Sequence, residues 1–179
     1  DTEARRLQSP TMLLNVGPGL AGRHLKLLSV IAAALLVASC GGTVDIKNSV
    51  QVTDVSTGWW DAGVVDGKNK LVPSITFRLR NTSDQDLSAV SINVAFKFID
   101  NGDELEEIFK QRVPFENQQT ELLTVRSQTG FTGEPPQSRA DMLRNSYFRD
   151  VEAIIFVRQA SAQWVELHRV PVERQLLTQ

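Results

Sequence analysis

Three groups of residues in this 179-residue chain are of types that do chemistry. The first is Cys40, the chain's one cysteine, which ends an apolar run and follows Val37-Ala38-Ser39. A lone thiol excludes an intrachain disulfide framework and a multi-cysteine zinc site. The usual fate of such a residue is burial as a small apolar side chain, but its place before Gly41-Gly42 argues against that. The second group is the acidic stretch Asp100, Asp103, Glu104, Glu106 and Glu107. A calcium loop of the EF-hand kind needs oxygen ligands at alternate positions, a central glycine and a distant bidentate Glu, and glycoside hydrolysis needs two facing carboxylates. The stretch supplies a fragment of the first pattern and no sign of the second, so it reads as a solvated hairpin tip, for which Asp, Asn and Gly are the natural residues. The third is His168, a candidate base. It has no serine in a Gly-x-Ser-x-Gly elbow and no second cysteine to activate, and it reads as a strand histidine. Ser127 and Ser161 read as strand-end and turn serines, and Gly130-Phe131-Thr132-Gly133 lacks the Lys-Ser/Thr pair of a phosphate-cradling loop. The chain reads as non-enzymatic, with no metal and no cofactor expected.

The element that positions Cys40 is a short apolar segment. Arg23, His24 and Lys26 precede Leu27 to Val37, the order of a positive n-region and an apolar h-region of signal-peptide length, with Met12 rather than Asp1 the expected start. A membrane-spanning helix needs about 20 apolar residues, and Ser39, Gly41, Gly42 and Asp45 close the run too early. The whole chain carries a net charge of -2; setting aside Arg5, Arg6, Arg23, Lys26, Asp1 and Glu3 leaves 15 basic against 19 acidic residues, or -4, from Cys40 onward. That balance gives no electrostatic footprint for nucleic acid.

Val37-Ala38-Ser39-Cys40 resembles the lipobox of bacterial lipoproteins, with Val37 at a position where the family most often has Leu. The resemblance implies diacylglyceryl transfer to the Cys40 thiol, cleavage before Cys40 by a signal peptidase that recognises Val37, Ala38 and Ser39, and acylation of the new amino group. Each buried methylene contributes about 0.8 kcal/mol, and two or more acyl chains hold a protein stably on a bilayer. Gly41, standing where Asp favours inner-membrane retention in proteobacterial lipoproteins, implies an outer-membrane address facing the periplasm in a Gram-negative cell. The expected organisation is an N-terminal extension and signal peptide over 1–39, a lipidated tether over 40–47 that keeps the domain near the membrane, and a folded domain over 48–179.

Within that domain the periodicity is that of strands. Asn48 to Val55 starts by alternating, and Gly58-Trp59-Trp60-Asp61 follows; adjacent Trp residues on a strand point to opposite faces, so one ring is expected in the core and the other against solvent, a partner or lipid headgroups. Trp59 and Trp60 are the candidate contact residues. Asp66-Gly67-Lys68-Asn69 is a turn, and Ile75, Phe77 and Leu79 alternate with Thr76, Arg78 and Arg80. Val90, Ile92, Val94, Phe96 and Phe98 share one face of the clearest strand, which ends at Asp100-Asn101-Gly102-Asp103, where Asn-Gly predicts a two-residue hairpin turn. That hairpin continues through Leu105 to Phe115. Glu121 to Ser127 is a further strand, Ser138 predicts a cap on a short helix over Arg139 to Asn145, Val151 to Val157 predicts a central strand, and Trp164 to Val170 a last one that Pro171 ends.

The stretch Arg78-Leu79-Arg80-Asn81-Thr82-Ser83, with Val90 to Phe98, Asp100 and Gly102, resembles the FxLYD-type and related immunoglobulin-like modules of bacterial envelope proteins. The resemblance implies a mainly β fold, an antiparallel immunoglobulin-like β-sandwich with one short helix, behind a helical signal peptide. The function expected is a non-enzymatic binding or assembly module, anchored through acyl chains on Cys40 and docking to another envelope protein. The alternative is a lipid-anchored ligand receptor or enzyme whose site is assembled from loops distant in sequence.

Overall fold

The computed structural model describes residues 44–177, so the expected signal peptide, the lipidation residues Val37, Ala38, Ser39 and Cys40, and the start of the tether lie outside the described residues. Val44 and Ile46 are buried in the core and α1 spans Ile46–Ser49, so the packed unit begins ahead of the expected start at Asn48.

The strands are β1 (Val50–Val65), β2 (Lys68–Asn81), β3 (Ala89–Phe98), β4 (Glu104–Pro114), β5 (Leu123–Arg126), β6 (Phe131–Gly133), β7 (Val151–Arg158), β8 (Val165–Pro171) and β9 (Leu176–Leu177), with α2 (Arg139–Arg144) between β6 and β7. One sheet runs β5-β2-β1-β9, with β6 also paired to β2; the other runs β4-β3-β7-β8. All pairings are antiparallel except β1 with β9. The mainly β architecture expected from the alternation is therefore present, in the two-sheet form of a sandwich. Trp59, Leu71, Ile75, Phe77 and Leu79 from the first sheet meet Ile92, Val94, Phe96, Val151, Ile155 and Val157 from the second in one core. Each such aliphatic or Phe side chain contributes roughly 1.5–3 kcal/mol by leaving water. The strand β7 lies between β3 and β8, as its two apolar faces predicted.

Local chemistry sets the connections. Asp66 and Gly67 adopt φ of 50° and 76° between the paired Val65 and Lys68, the backbone of a two-residue mirror-image turn. Asn101-Gly102 does not make the same turn. Only Gly102 has positive φ, 74°, its amide donates to the Phe98 carbonyl at 2.8 Å, and the Phe98 amide donates to Asp103 at 2.9 Å across a longer loop. The reason is that side chains hold the tip: Asn101 bonds to Asp103, and Arg149 grips Asp100 and Asn101. The first strand does not stop near Val55 but runs on through both tryptophans, interrupted by register shifts at Thr53/Ser56 and Asp61/Val64. Ser138 caps α2 as expected, its hydroxyl accepting from the Asp141 amide at 3.1 Å. Where β6 docks, a Cβ on Gly130 would lie 2.0 Å from the Leu71 carbonyl oxygen, so glycine alone permits that approach.

Register also defines two ends. Val50, Asn81, Ala89, Pro114 and Arg158 mark the N-terminal end, where the Val44 amide donates to the Gln159 side chain at 3.0 Å. Val65 and Lys68, Phe98 and Glu104, and Val151 mark the opposite, hairpin end.

Candidate functional site

The structure disperses the acidic stretch. Glu106 crosses from β4 to the segment after β5, where its Oε2 accepts from the Ser127 hydroxyl at 2.5 Å and from the Gln128 and Thr129 amides at 2.7 and 2.9 Å. Partial burial pushes its carboxyl up, and the bonds from Ser127, Thr129 and Gln128 outweigh this and hold it below the ordinary glutamate value. Asp100 is gripped by Arg149 at 2.6 and 2.8 Å, and hydrogen bonding from that guanidinium holds it below the ordinary aspartate value. Glu104 sits opposite Lys97 and Glu107 opposite Ala95, on different parts of β4. Among the described residues no group of His, Cys, Asp and Glu is arranged to hold a metal ion. Asp100 and Glu106 brace the fold.

The two tryptophans divide as the strand geometry predicted. Trp59 is fully buried, edge-on to Phe148 at 4.5 Å and beside Phe131 at 5.5 Å, so it is a core residue and offers no contact surface. Trp60 lies half-buried on the outer face of the first sheet beneath the Arg126 guanidinium, 3.7 Å from the ring centroid. His168 is half-buried on β8 opposite Ile155 and borders a cleft of about 370 Å³ with Lys47, Gln51 and Glu166. Among the described residues neither serine nor cysteine lines that cleft.

A different surface gathers exposed aromatic and unpartnered polar groups. On the outer face of the β4-β3-β7-β8 sheet, Asn93 stands between Phe109 of β4 and Phe156 of β7. Phe109 is 57% exposed, an unusual exposure for a Phe on a strand, and its ring lies 6.1 Å from that of Trp164. The Arg158 guanidinium stacks on Trp164 at 4.4 Å. Asn93 is 7% exposed and its side-chain oxygen has no hydrogen-bond partner, nor has the Arg158 Nε. Buried polar groups are ordinarily paired, and leaving one unpaired costs about 1–3 kcal/mol. Aromatic rings with Arg are the composition of binding hot spots. Sequence reasoning missed this face because Phe109, Asn93, Phe156 and Trp164 come from four segments. Asn93 carried no mark of its own, because Ser91 and Lys97 share its face of the strand as ordinary polar residues.

Among the described residues no helix is long and apolar enough to cross a membrane. The chain matches no protein-family model and no curated protein. The fold and the face together describe a two-sheet β domain with an aromatic, partly unpaired outer surface.

Proposed function

We propose that the chain is a lipid-anchored cell-envelope protein, cleaved before Cys40 and acylated on it, whose immunoglobulin-like β-sandwich is a non-enzymatic binding or assembly module. The observation that carries the binding role is the outer face of the β4-β3-β7-β8 sheet, with Phe109 exposed against Trp164 and the Asn93 oxygen and Arg158 Nε unpartnered. A protein partner that covers this face removes the Phe109 ring from water and offers donors to Asn93. The immunoglobulin-like reading is supported by strand order: β1-β2-β5 against β4-β3-β7-β8 follows the order A-B-E against C′-C-F-G of that fold. The anchor rests on Val37-Ala38-Ser39-Cys40, and Gly41 favours the outer membrane of a Gram-negative envelope, facing the periplasm.

Cells grown with a labelled fatty acid test the anchor: the wild type takes up label and Cys40→Ala does not. Absence of label from the wild type, or its retention in the variant, defeats the lipoprotein reading. The face is tested separately by placing a photo-crosslinking residue at Phe109 and, as a control, at Thr124 on the other sheet, in living cells. A discrete adduct from position 109 and none from 124 supports the module, and equal adducts from both sink it.

A further inference from the structure

We propose that the N-terminal end of the sandwich carries an anion site for a phosphate ester, built around Arg112 and Arg158. Where β3 begins and β4 and β7 end, a cleft of about 420 Å³ is walled by these two arginines with Ser88, Ser91, Gln111 and Gln159, and among the described residues no carboxylate lines it. Arg78, Arg139, Arg149, Arg169 and Arg174 each pair with an Asp or Glu, whereas Arg80, Arg126 and Arg144 have no such pair among the described residues; what marks Arg112 and Arg158 is that they line one cleft together. Among the described residues Arg112 and Arg158 pair with none.

The Arg158 guanidinium is held in place, and the Arg112 backbone is set by a bulge. Arg158 is fixed by its stack on Trp164, and its buried Nε lacks an acceptor. Arg112 belongs to a bulge, where Gln111 and Arg112 oppose the single Ser91 between the pairs Val90↔Val113 and Ile92↔Lys110. Its φ is 55°, a left-handed conformation uncommon for a long side chain, and bulges of this kind re-aim side chains. Two planar five-donor forks without counter-charge, flanked by hydroxyls and amides, match the tetrahedral oxygens of a phosphate. The cleft exceeds the phosphate itself, so the ligand carries a small polar alcohol on it. Gln159, in the wall, also accepts from the Val44 amide, so the cleft lies at the end of the domain from which the N-terminal segment departs. A phospholipid headgroup and a free phosphate ester share this chemistry. The headgroup source rests on the lipid-anchored reading, and the free source does not.

The full chain in a nonionic, phosphate-free detergent is titrated calorimetrically with glycerol 3-phosphate, with glycerol as a control. The expected result is saturable binding of the ester alone, weakened roughly tenfold or more by Arg158→Gln and lost in Arg112→Gln/Arg158→Gln. Should the double variant melt abnormally, Arg112→Gln on its exposed bulge carries the comparison. The titration is then repeated in phosphatidylglycerol nanodiscs. Loss of the signal there assigns the site to headgroups already seated in it, and persistence assigns it to a free ester. No saturable binding in detergent, or binding that survives both substitutions, overturns the proposal. Failure of Cys40 to acylate leaves the detergent titration untouched, so the two readings fail separately.

Discussion

The hairpin end and the N-terminal end of the sandwich use their charged groups in opposite ways. At the hairpin end Arg174 grips Asp150 at 2.6 and 3.1 Å while donating to the Leu143 and Phe148 carbonyls. Arg149 grips Asp100 and stacks on Phe98, Glu106 ties β4 to the segment after β5, and Trp59, Phe131 and Phe148 pack beneath. At the N-terminal end the ties are neutral: the Asn81 side chain to the Gln85 carbonyl and the Gln118 side chain, the Thr82 amide to Ser49, and the Val44 amide to Gln159. Among the described residues Arg80, Arg112 and Arg158 there have no acid partner, and the last two share a cleft. Charge paired with charge fixes a loop, whereas charge left unpaired beside a cleft is available to a ligand. The comparison predicts that substitutions at the hairpin end are read in stability and those at the N-terminal end in binding.

The largest effect is expected from Trp59→Ala, which empties a fully buried site and costs about 3–5 kcal/mol. A urea titration with unchanged slope measures it. Because the Trp59 indole N–H is buried without an acceptor, Trp59→Phe is expected to cost far less, losing ring volume but no hydrogen bond. Equal losses from the two would show that the aromatic cluster is not what stiffens this end. Arg174→Ala removes a bidentate ion pair and orphans two carbonyls at once, for which about 2 kcal/mol is expected. A fall below roughly 0.5 kcal/mol would put it with ordinary surface substitutions and weaken the contrast.

How much of this was legible in the sequence depends on how local each cause is. The strand from Val90 to Phe98 carries its own alternation, and Asp66-Gly67 its own turn chemistry, so both were readable. The long β1 was not, because the shifts at Thr53/Ser56 and Asp61/Val64 break the two-residue period that identifies a strand. Asn101-Gly102 misled because Arg149, 48 residues away, holds the tip in another shape. The role of Glu106 was hidden similarly, since its partners Ser127 to Thr129 reach it only through the packing of one sheet on the other. Arg112 and Arg158 carry no local mark at all: what sets them apart is that folding brings two arginines without ion pairs to one cleft.

A middle-sized effect is expected from Glu106→Gln, and pH gives it a signature. The folded-state pKa of Glu106 lies below its unfolded value, so its contribution is fully present above the unfolded range, about 4.3, and is lost as pH falls through the folded pKa. At neutral pH the variant is expected to be less stable by roughly 1 kcal/mol. The gap between the two proteins closes as the solution is acidified. Thermal melts from pH 7 to pH 3 measure it, and a gap independent of pH would mean that the carboxylate charge does not brace the hairpin end.

The smallest stability change, and the sharpest test of the contrast, is expected from Arg112→Gly. A left-handed backbone costs an ordinary L-residue roughly 1–2 kcal/mol, and glycine escapes that cost while losing about 0.5–1 kcal/mol to its greater freedom when unfolded. With φ at 55°, an exposed side chain and no ion pair to lose, the exchange is expected to leave stability within about 1 kcal/mol of the wild type or raise it slightly. The same exchange removes one of the two guanidiniums from the cleft, so glycerol 3-phosphate binding should fall while the urea midpoint holds. A strained arginine kept where glycine fits the backbone better is explained by what its side chain does. If Arg112→Gly instead unfolds at markedly lower urea, Arg112 braces its end as Arg174 does, and the two ends of the sandwich do not divide between structure and binding.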